Sequence, residues 1–157
     1  MIWAVIGVGY RDIIVLPKTM SDEYEGEDGK KAYRMNAQHY LSKCLYPRVQ
    51  RWKKDERIFM HDGAKCHQAK KVLGYLNKSG ASFIADWPAR SCDLNPIENL
   101  WALLQRKVSD RKPRNVDDLC KIVKEEFDTY SEQIVQNLVM SYEARLKECI
   151  RVGGLSI

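Results

Sequence analysis

The sequence contains no run of about 18 apolar residues, the length that a membrane-spanning helix needs. Its apolar start, MIWAVIGVGYRD, lacks the basic flank and the small-residue cleavage site of a signal peptide. None of the five cysteines forms a CxxC pair, and their number is odd. These absences exclude a membrane span and a disulfide framework, and they predict reduced thiols in cytosol or nucleus.

The length and composition of the chain are those of one globular domain. A chain of 157 residues can bury a core, and 45% apolar with 30% charged residues is typical of a folded rather than a disordered protein. The net charge of +5 permits a polyanionic partner but does not require one.

The hydrophobic pattern predicts a mixed α/β sheet flanked by helices. A glycine-containing turn joins two β-rich runs in residues 1–16, which predicts a hairpin, and the polar residues 18–34 are expected to form an exposed insertion. A helix is predicted from Asn36 with a break near Pro47. The remaining predicted elements are strands at 57–62 and 81–87, and helices at 67–80, 95–108, 115–130 and 131–151.

Two carboxylates lie where ligands gather in α/β proteins. Asp62 ends the predicted strand RIFMHD, where a ligand-binding aspartate and a loop aspartate that caps the next turn are equally plausible. Glu98 is the third residue of a helix that Asn95 and Pro96 begin, so by itself it fits a capping box better than a metal site. Loops on one edge of a sheet would bring both carboxylates together, and Mg²⁺ or Mn²⁺ would relieve their repulsion.

A zinc site is the weaker alternative. His61, Cys66 and His67 are close in sequence, but a fourth ligand at a suitable spacing is not evident, and alternation turns His61 away from Asp62. We expect Cys66 to be a small buried residue. A Cys66–His67 nucleophile is still less favoured, because neighbours in sequence rarely face one another.

Two segments carry the resemblance to a known family. FMHDGAKCHQAKKV and DWPARSCDLNPIENLWALLQRKV resemble the catalytic domain of the Tc/mariner superfamily of DDE transposases. In that family an Asp-x-Ala-x-Cys-His segment carries the second catalytic carboxylate, which falls on Asp62, and the Pro-Ile-Glu-Asn-Leu-Trp segment carries the third, which falls on Glu98. The 35 residues between them, Gly63 to Ile97, are close to the family's separation. The resemblance covers the chain apart from 18–34.

The resemblance implies an RNase H-like fold, with an antiparallel hairpin, parallel strands and two C-terminal helices, and phosphoryl transfer on DNA assisted by two Mg²⁺ or Mn²⁺ ions. Asp62 and Glu98 would ligate the metal, and Asp93, Asn95 and Pro96 would shape the loop before Glu98, Asp93 through an Asx-type bond. The partner would be DNA, as transposon ends and target, and no small-molecule substrate is expected. The basic residues expected to contact DNA are Lys65, Arg90, Arg106, Lys107, Arg111 and Lys112.

The sequence also departs from the family. There the first catalytic Asp lies on a strand before the opening hairpin, and a helix-turn-helix region precedes it; neither is present here. We therefore expect residues 1–157 to be a single truncated catalytic domain with little or no cleavage activity alone, and with an exposed sheet edge that favours a homodimer. The alternative is a non-catalytic nucleic-acid-binding module, relic or domesticated. The expected location is the nucleus in a eukaryote and the cytoplasm otherwise.

Overall fold

The computed structural model describes residues 1–16, 22–25 and 31–157, which divide into two compact units. The first unit comprises Met1 and Leu16–Arg90, and the second comprises Ile2–Val15 and Ser91–Ile157. The prediction that the chain is a single domain stays a prediction. In chain order the elements are β1 (Ile2–Gly7), β2 (Tyr10–Val15), β3 (Asp22–Glu25), β4 (Lys31–Arg34), α1 (Ala37–His39), α2 (Val49–Lys54), α3 (Lys70–Ser79), α4 (Pro96–Asp110), α5 (Val116–Asp128) and α6 (Glu132–Arg151).

The two strand pairs are both antiparallel. The hairpin predicted for residues 1–16 is confirmed: β1 pairs with β2 from Ile2 opposite Val15 to Gly7 opposite Tyr10, and Gly9 takes a positive φ of 64° in the turn. Within the segment 18–34, which is expected to form an exposed insertion, β3 pairs with β4. The rest of that segment, residues 18–21 and 26–30, lies outside the described residues, and its exposure stays a prediction.

Parallel strands are predicted at 57–62 and 81–87. The structure shows one isolated parallel bridge between these two segments. Phe59 pairs with Phe83: the Phe59 N–H donates to the Ser82 carbonyl and the Ile84 N–H donates to the Phe59 carbonyl, each at 2.9 Å. Parallel pairing is less stable per residue and is normally supported by neighbouring strands on a covered sheet. Among the described residues no further strand pairs with this bridge, so the single mixed sheet of the prediction is not observed.

The first unit carries the helical segment predicted from Asn36. Its Oδ1 accepts the His39 N–H at 2.8 Å and so begins α1, which continues as a π-helical segment, Tyr40–Leu45, before the turn at Pro47. After α2, α3 ends at Gly80, whose positive φ of 67° lets the chain reverse, as its position in the sequence predicts.

The second unit holds the main hydrophobic core. The buried residues recur every three or four positions along the helices, and alternate residues of the hairpin pack against them. The last two predicted helices are confirmed. The side chains of Asn115 and Ser131 cap their N-termini. The buried core consists of Leu100, Leu104, Val108, Ile122, Val123, Phe127, Tyr130 and Val135.

No helix among the described residues is both long and apolar enough to cross a bilayer.

Candidate functional site

Asp62 lies in the first unit, three residues beyond the parallel bridge at Phe59. Its side chain is 54% exposed. The carboxylate oxygen Oδ1 accepts the Ala64 N–H at 3.0 Å, which closes a local turn, and it lies 2.6 Å from His67 Nδ1. Asp62 therefore does cap the next turn, as the simpler interpretation holds, and it still presents its carboxylate to solvent.

His67, which contacts this carboxylate, belongs to a cluster of three rings. The rings of His67 and Tyr40 have centroids 4.2 Å apart, and those of His67 and His61 are 5.1 Å apart with their planes within 8°. The Tyr40 hydroxyl lies 3.1 Å from His61 Nδ1. His61 is buried and Asp62 is exposed, so their side chains differ in environment as the alternation predicted.

The network shifts three pKa values. The hydrogen bond from His67, with smaller help from Ala64, lowers the pKa of Asp62 to about 2. Burial is the largest effect on His67 and lowers its pKa, but the bonds to Asp62 and Cys66 outweigh it and raise the pKa to about 9. Burial, with repulsion from His67, lowers the pKa of His61 to about 4. In the metal-free protein at neutral pH, Asp62 is thus an anion and His61 is neutral.

The cysteine expectations are partly wrong. Cys66 is half-buried rather than buried, and its side chain helps to raise the pKa of His67. His67 Nδ1 is engaged by Asp62, so this nitrogen is not available to activate the thiol. In the part of the chain that the structure describes, no three His, Cys, Asp or Glu side chains are grouped to hold a metal ion, so nothing there supports the zinc alternative.

Glu98 lies in the second unit, in the first turn of α4. Asn95 begins this helix: its Oδ1 accepts the Ile97 N–H at 3.2 Å, and Pro96 occupies the first turn. A capping-box glutamate would bond the Asn95 N–H, but that N–H donates to the Cys92 carbonyl at 3.0 Å. The donor is already engaged, and the Glu98 side chain is exposed. The Asn95 N–H therefore has an acceptor without Glu98.

Asp93 shapes the loop before α4 through distant partners. Its Oδ2 accepts bonds from the Ser156 hydroxyl at 2.9 Å and from the Ile157 N–H at 3.0 Å, and these lower its pKa. The Arg145 guanidinium donates to its carbonyl oxygen at 2.8 Å. Locally, its Oδ1 accepts the Leu94 N–H at 3.0 Å, whereas the Asn95 N–H, which an Asx-type turn would use, donates to the Cys92 carbonyl.

The predicted DNA-contacting residues fall into two groups. Arg111 bonds Glu125 at 2.7 Å and Glu126 at 3.0 Å, and Lys107 bonds the Thr129 hydroxyl at 2.8 Å. These two side chains are thus partly neutralised by α5. The others are exposed and, among the described residues, take part in no ion pair: Lys65, Arg90, Arg106 and Lys112.

Sequence reasoning missed the contacts of His67 and Arg145. The sequence motif marks His67 only as a zinc-ligand or nucleophile alternative, although the turn after Asp62 and the spacing of five residues are compatible with a side chain that folds back. Arg145 has no comparable local signal, because the residue that it contacts lies 52 positions earlier in the chain.

The fold resembles solved transposase catalytic domains. The structure of the Mos1 transposase catalytic domain with Raltegravir and Mg matches 94% of this chain and 70% of its own, with a TM-score of 0.71 and 19% identity. The Mos1 mariner paired end complex with Mn matches 94% of this chain and 41% of its own, also with a TM-score of 0.71 and 19% identity. The chain thus has the fold of an RNase H-like transposase catalytic domain, as expected.

Comparison of the sequence with protein-family models identifies the family of the chain. The family model described as DDE superfamily endonuclease matches residues 29–120, more than half of the chain and a range that includes Asp62 and Glu98. This chain belongs to the DDE superfamily endonuclease family.

Curated relatives are transposases of nematodes. The Tc3 transposase of Caenorhabditis elegans is 36% identical over 104 residues, which are 65% of this chain and 31% of the relative. The Tc1 transposase of the same species is 26% identical over 97 residues, or 62% of this chain and 35% of the relative. The chain thus spans about a third of the length of these relatives.

Proposed function

We propose that this chain is the catalytic portion of a DNA transposase, in which Asp62 and Glu98 hold divalent metal ions for phosphoryl transfer on DNA. The observation that carries the proposal is the family match, since it includes both carboxylates and both are exposed. The Tc3 and Tc1 relatives are named as transposases, and the activity of the whole protein is inferred from them.

The two side chains suit Mg²⁺ or Mn²⁺. Both supply hard carboxylate oxygens. The low pKa of Asp62 keeps its carboxylate ionised at neutral pH. Asp62 would offer Oδ2, because the bonds from Ala64 and His67 both end on Oδ1. Glu98 would offer its carboxylate from the first turn of α4, behind the cap that Asn95 provides. A pair of bound ions supplies activation of the attacking oxygen and stabilisation of the leaving one.

The exposed cations supply the DNA contacts. Phosphate binding by lysine and arginine is independent of sequence and follows the charges left unpaired at the surface. We infer that Lys65, Arg90, Arg106 and Lys112 contribute more to DNA binding than Lys107 and Arg111, which α5 already engages. Action in a eukaryotic nucleus, as expected for the nematode relatives, and homodimer formation belong to the same proposal.

Calorimetric titration of Mn²⁺ tests the metal site. Wild-type protein is compared with the double variant Asp62→Asn, Glu98→Gln, in which both side chains keep their size but lose their charge. We expect saturable binding by wild type and none by the variant. Equal binding by both proteins would contradict the assignment of these carboxylates as ligands. Urea unfolding of both proteins checks that the variant is folded.

The second candidate is a non-catalytic DNA-binding module, relic or domesticated, in which Asp62 is structural. The bonds from Ala64 and His67 to Asp62 Oδ1 favour it, since they give this carboxylate a role in the loop without a metal. A nicking assay on supercoiled plasmid with Mn²⁺ separates the two candidates, with the double variant as control. Carboxylate-dependent nicking supports the enzyme, whereas DNA binding without metal binding or nicking supports the module.

A further inference from the structure

The His67 imidazole is immobilised by its surroundings. Its side chain is only 14% exposed, and its ring packs against those of Tyr40 and His61 at centroid distances of 4.2 and 5.1 Å. Tyr40 is completely buried, and its hydroxyl bonds His61 Nδ1, so the two flanking rings are also joined to each other. A ring held in this way has little freedom to turn away from Asp62.

The hydrogen-bond pattern fixes which nitrogen of His67 is the donor. Nδ1 lies 2.6 Å from Asp62 Oδ1 and 3.3 Å from the Asp62 carbonyl oxygen. An ionised carboxylate and a carbonyl can only accept, so Nδ1 must carry the proton. This assignment holds for the neutral ring and for the charged one.

Two donors from different parts of the loop therefore end on one carboxylate oxygen. The Ala64 N–H and the His67 Nδ1–H both bond Oδ1, which restrains rotation of the Asp62 carboxylate about its last side-chain bond. Among the described residues, both of these bonds end on Oδ1, and Oδ2 belongs to a side chain that is 54% exposed. The loop thus presents one defined oxygen outward.

We propose that His67 is a positioning residue for Asp62: by holding Oδ1 it presents Oδ2 to a divalent cation. The inference rests on the proposed function, because it assigns His67 a role only if Asp62 ligates metal. His67 does not ligate the metal itself. Hydrogen bonds to ligating groups of this kind typically change metal affinity by about 10- to 100-fold when they are removed.

Three substitutions separate positioning from mere packing. In His67→Asn the side-chain amide places an N–H close to the position of Nδ1, in His67→Gln the amide lies further out, and in His67→Leu no donor remains. We expect the Gln and Leu variants to bind Mn²⁺ about 10- to 100-fold more weakly than wild type, and the Asn variant to retain most of the affinity. His39→Leu, at a histidine on α1, is the matched control and should bind as wild type does.

The outcomes distinguish this inference from the proposed function. If the double carboxylate variant loses Mn²⁺ binding but all three His67 variants bind like wild type, the inference is wrong and the proposed function stands. If Gln rescues as well as Asn, the donor position does not matter and the inference is also wrong. If wild type shows no carboxylate-dependent binding, the proposed function fails and this inference fails with it.

A metal-free measurement covers the case in which His67→Leu does not fold. Long-range ¹H–¹⁵N spectra of the histidine rings report which nitrogen carries the proton. We expect a proton on Nδ1 of His67 in wild type, and a changed Nδ1 signal in Asp62→Asn. An Nδ1 without a proton, or a signal that Asp62→Asn leaves unchanged, would overturn the inference.

Discussion

The guanidinium of Arg145, on α6, donates a hydrogen bond of 2.8 Å to the backbone carbonyl oxygen of Asp93, 52 residues earlier. The same side chain bonds the Ser141 hydroxyl on its own helix through Nε at 3.0 Å, which holds the guanidinium in place. Asp93 begins the loop that leads to the cap of α4. A residue near the end of the chain thus fastens the loop that presents Glu98.

Replacing Arg145 tests that connection. We expect Arg145→Leu to lower the free energy of unfolding by about 1–2 kcal/mol, because a half-buried charged donor and its carbonyl acceptor both lose a partner. Arg151→Leu on the same helix is the control, since its bond to Glu148 is fully exposed and should contribute much less to stability. Urea unfolding followed by circular dichroism gives both values. Equal losses would show that the contact with Asp93 contributes nothing particular.

The caps of α4 and α5 offer a second comparison. Asn95→Ala and Asn115→Ala each remove a side-chain oxygen that accepts a backbone N–H at a helix start, so each should cost about 1 kcal/mol of stability. Only Asn95→Ala should also weaken Mn²⁺ binding in calorimetry, because Glu98 lies in the first turn of α4. If both variants weakened it equally, the effect would reflect general stability and not the position of Glu98.

The ionisation of the Asp62–His67 pair predicts how the stability of the fold depends on pH. Stability is lost at high pH through His67 and at low pH through Asp62. The folded pKa of His67, about 9, is above its ordinary 6.5, so its contribution to stability is complete below pH 6.5 and is lost as the pH rises through 9. The folded pKa of Asp62, about 2, is below its ordinary 3.8, so its contribution is present above pH 3.8 and is lost as the pH falls through 2. His61, at about 4, disfavours the folded state as the pH falls from 6.5 to 4.

The metal-free Asp62→Asn variant checks the alkaline half of this prediction. Without the anionic acceptor, the pKa of His67 should fall, and unfolding free energies at pH 7 and pH 9 should differ less than in wild type. Histidine NMR titrations give the pKa, and urea unfolding gives the stabilities. Asp55→Asn is the control, because Asp55 pairs with Arg57 and should leave the titration of His67 unchanged. An unaltered His67 pKa in Asp62→Asn would contradict the structure.

The basic residues predict a salt-dependent pattern of DNA binding that rests on the proposed function. Arg106→Gln and Lys112→Gln should each weaken binding to a mixed-sequence duplex and lower the slope of log affinity against log salt by about one. Lys107→Gln and Arg111→Gln should change the slope less, because Glu125, Glu126 and Thr129 already engage these side chains. Fluorescence anisotropy at several salt concentrations measures both effects. Equal slopes for the two pairs would contradict the grouping.

Local chemistry explains why most helices could be predicted. Asn95, Asn115 and Ser131 are residues that cap helices through their own side chains, and all three cap the predicted helices here. The hairpin followed from its two glycines and β-branched residues for the same reason. Of the predicted parallel strands, the described residues show only the bridge between Phe59 and Phe83, because a run such as RIFMHD forms a strand only if others pair with it, and pairing is not a local property.

Glu98 shows what local sequence leaves open. Asn95 and Glu98 have the spacing of a capping box, yet the N–H that Glu98 would bond is engaged by Cys92. The competing acceptor is a backbone carbonyl, which every residue has, so the sequence carries no sign of it.

The sequence by itself determined which two carboxylates are the candidate metal ligands and which family the chain resembles. The residues around Asp62 and Glu98 form motifs that are visible without a structure. Only the tertiary structure decided how each carboxylate is held. His67 turns back to Asp62 and packs against two buried rings, and Arg145 bonds Asp93, which lies 52 residues earlier in the chain. Hydrogen bonds and ring packing of this kind depend on positions in space, which the order of residues along the chain does not state.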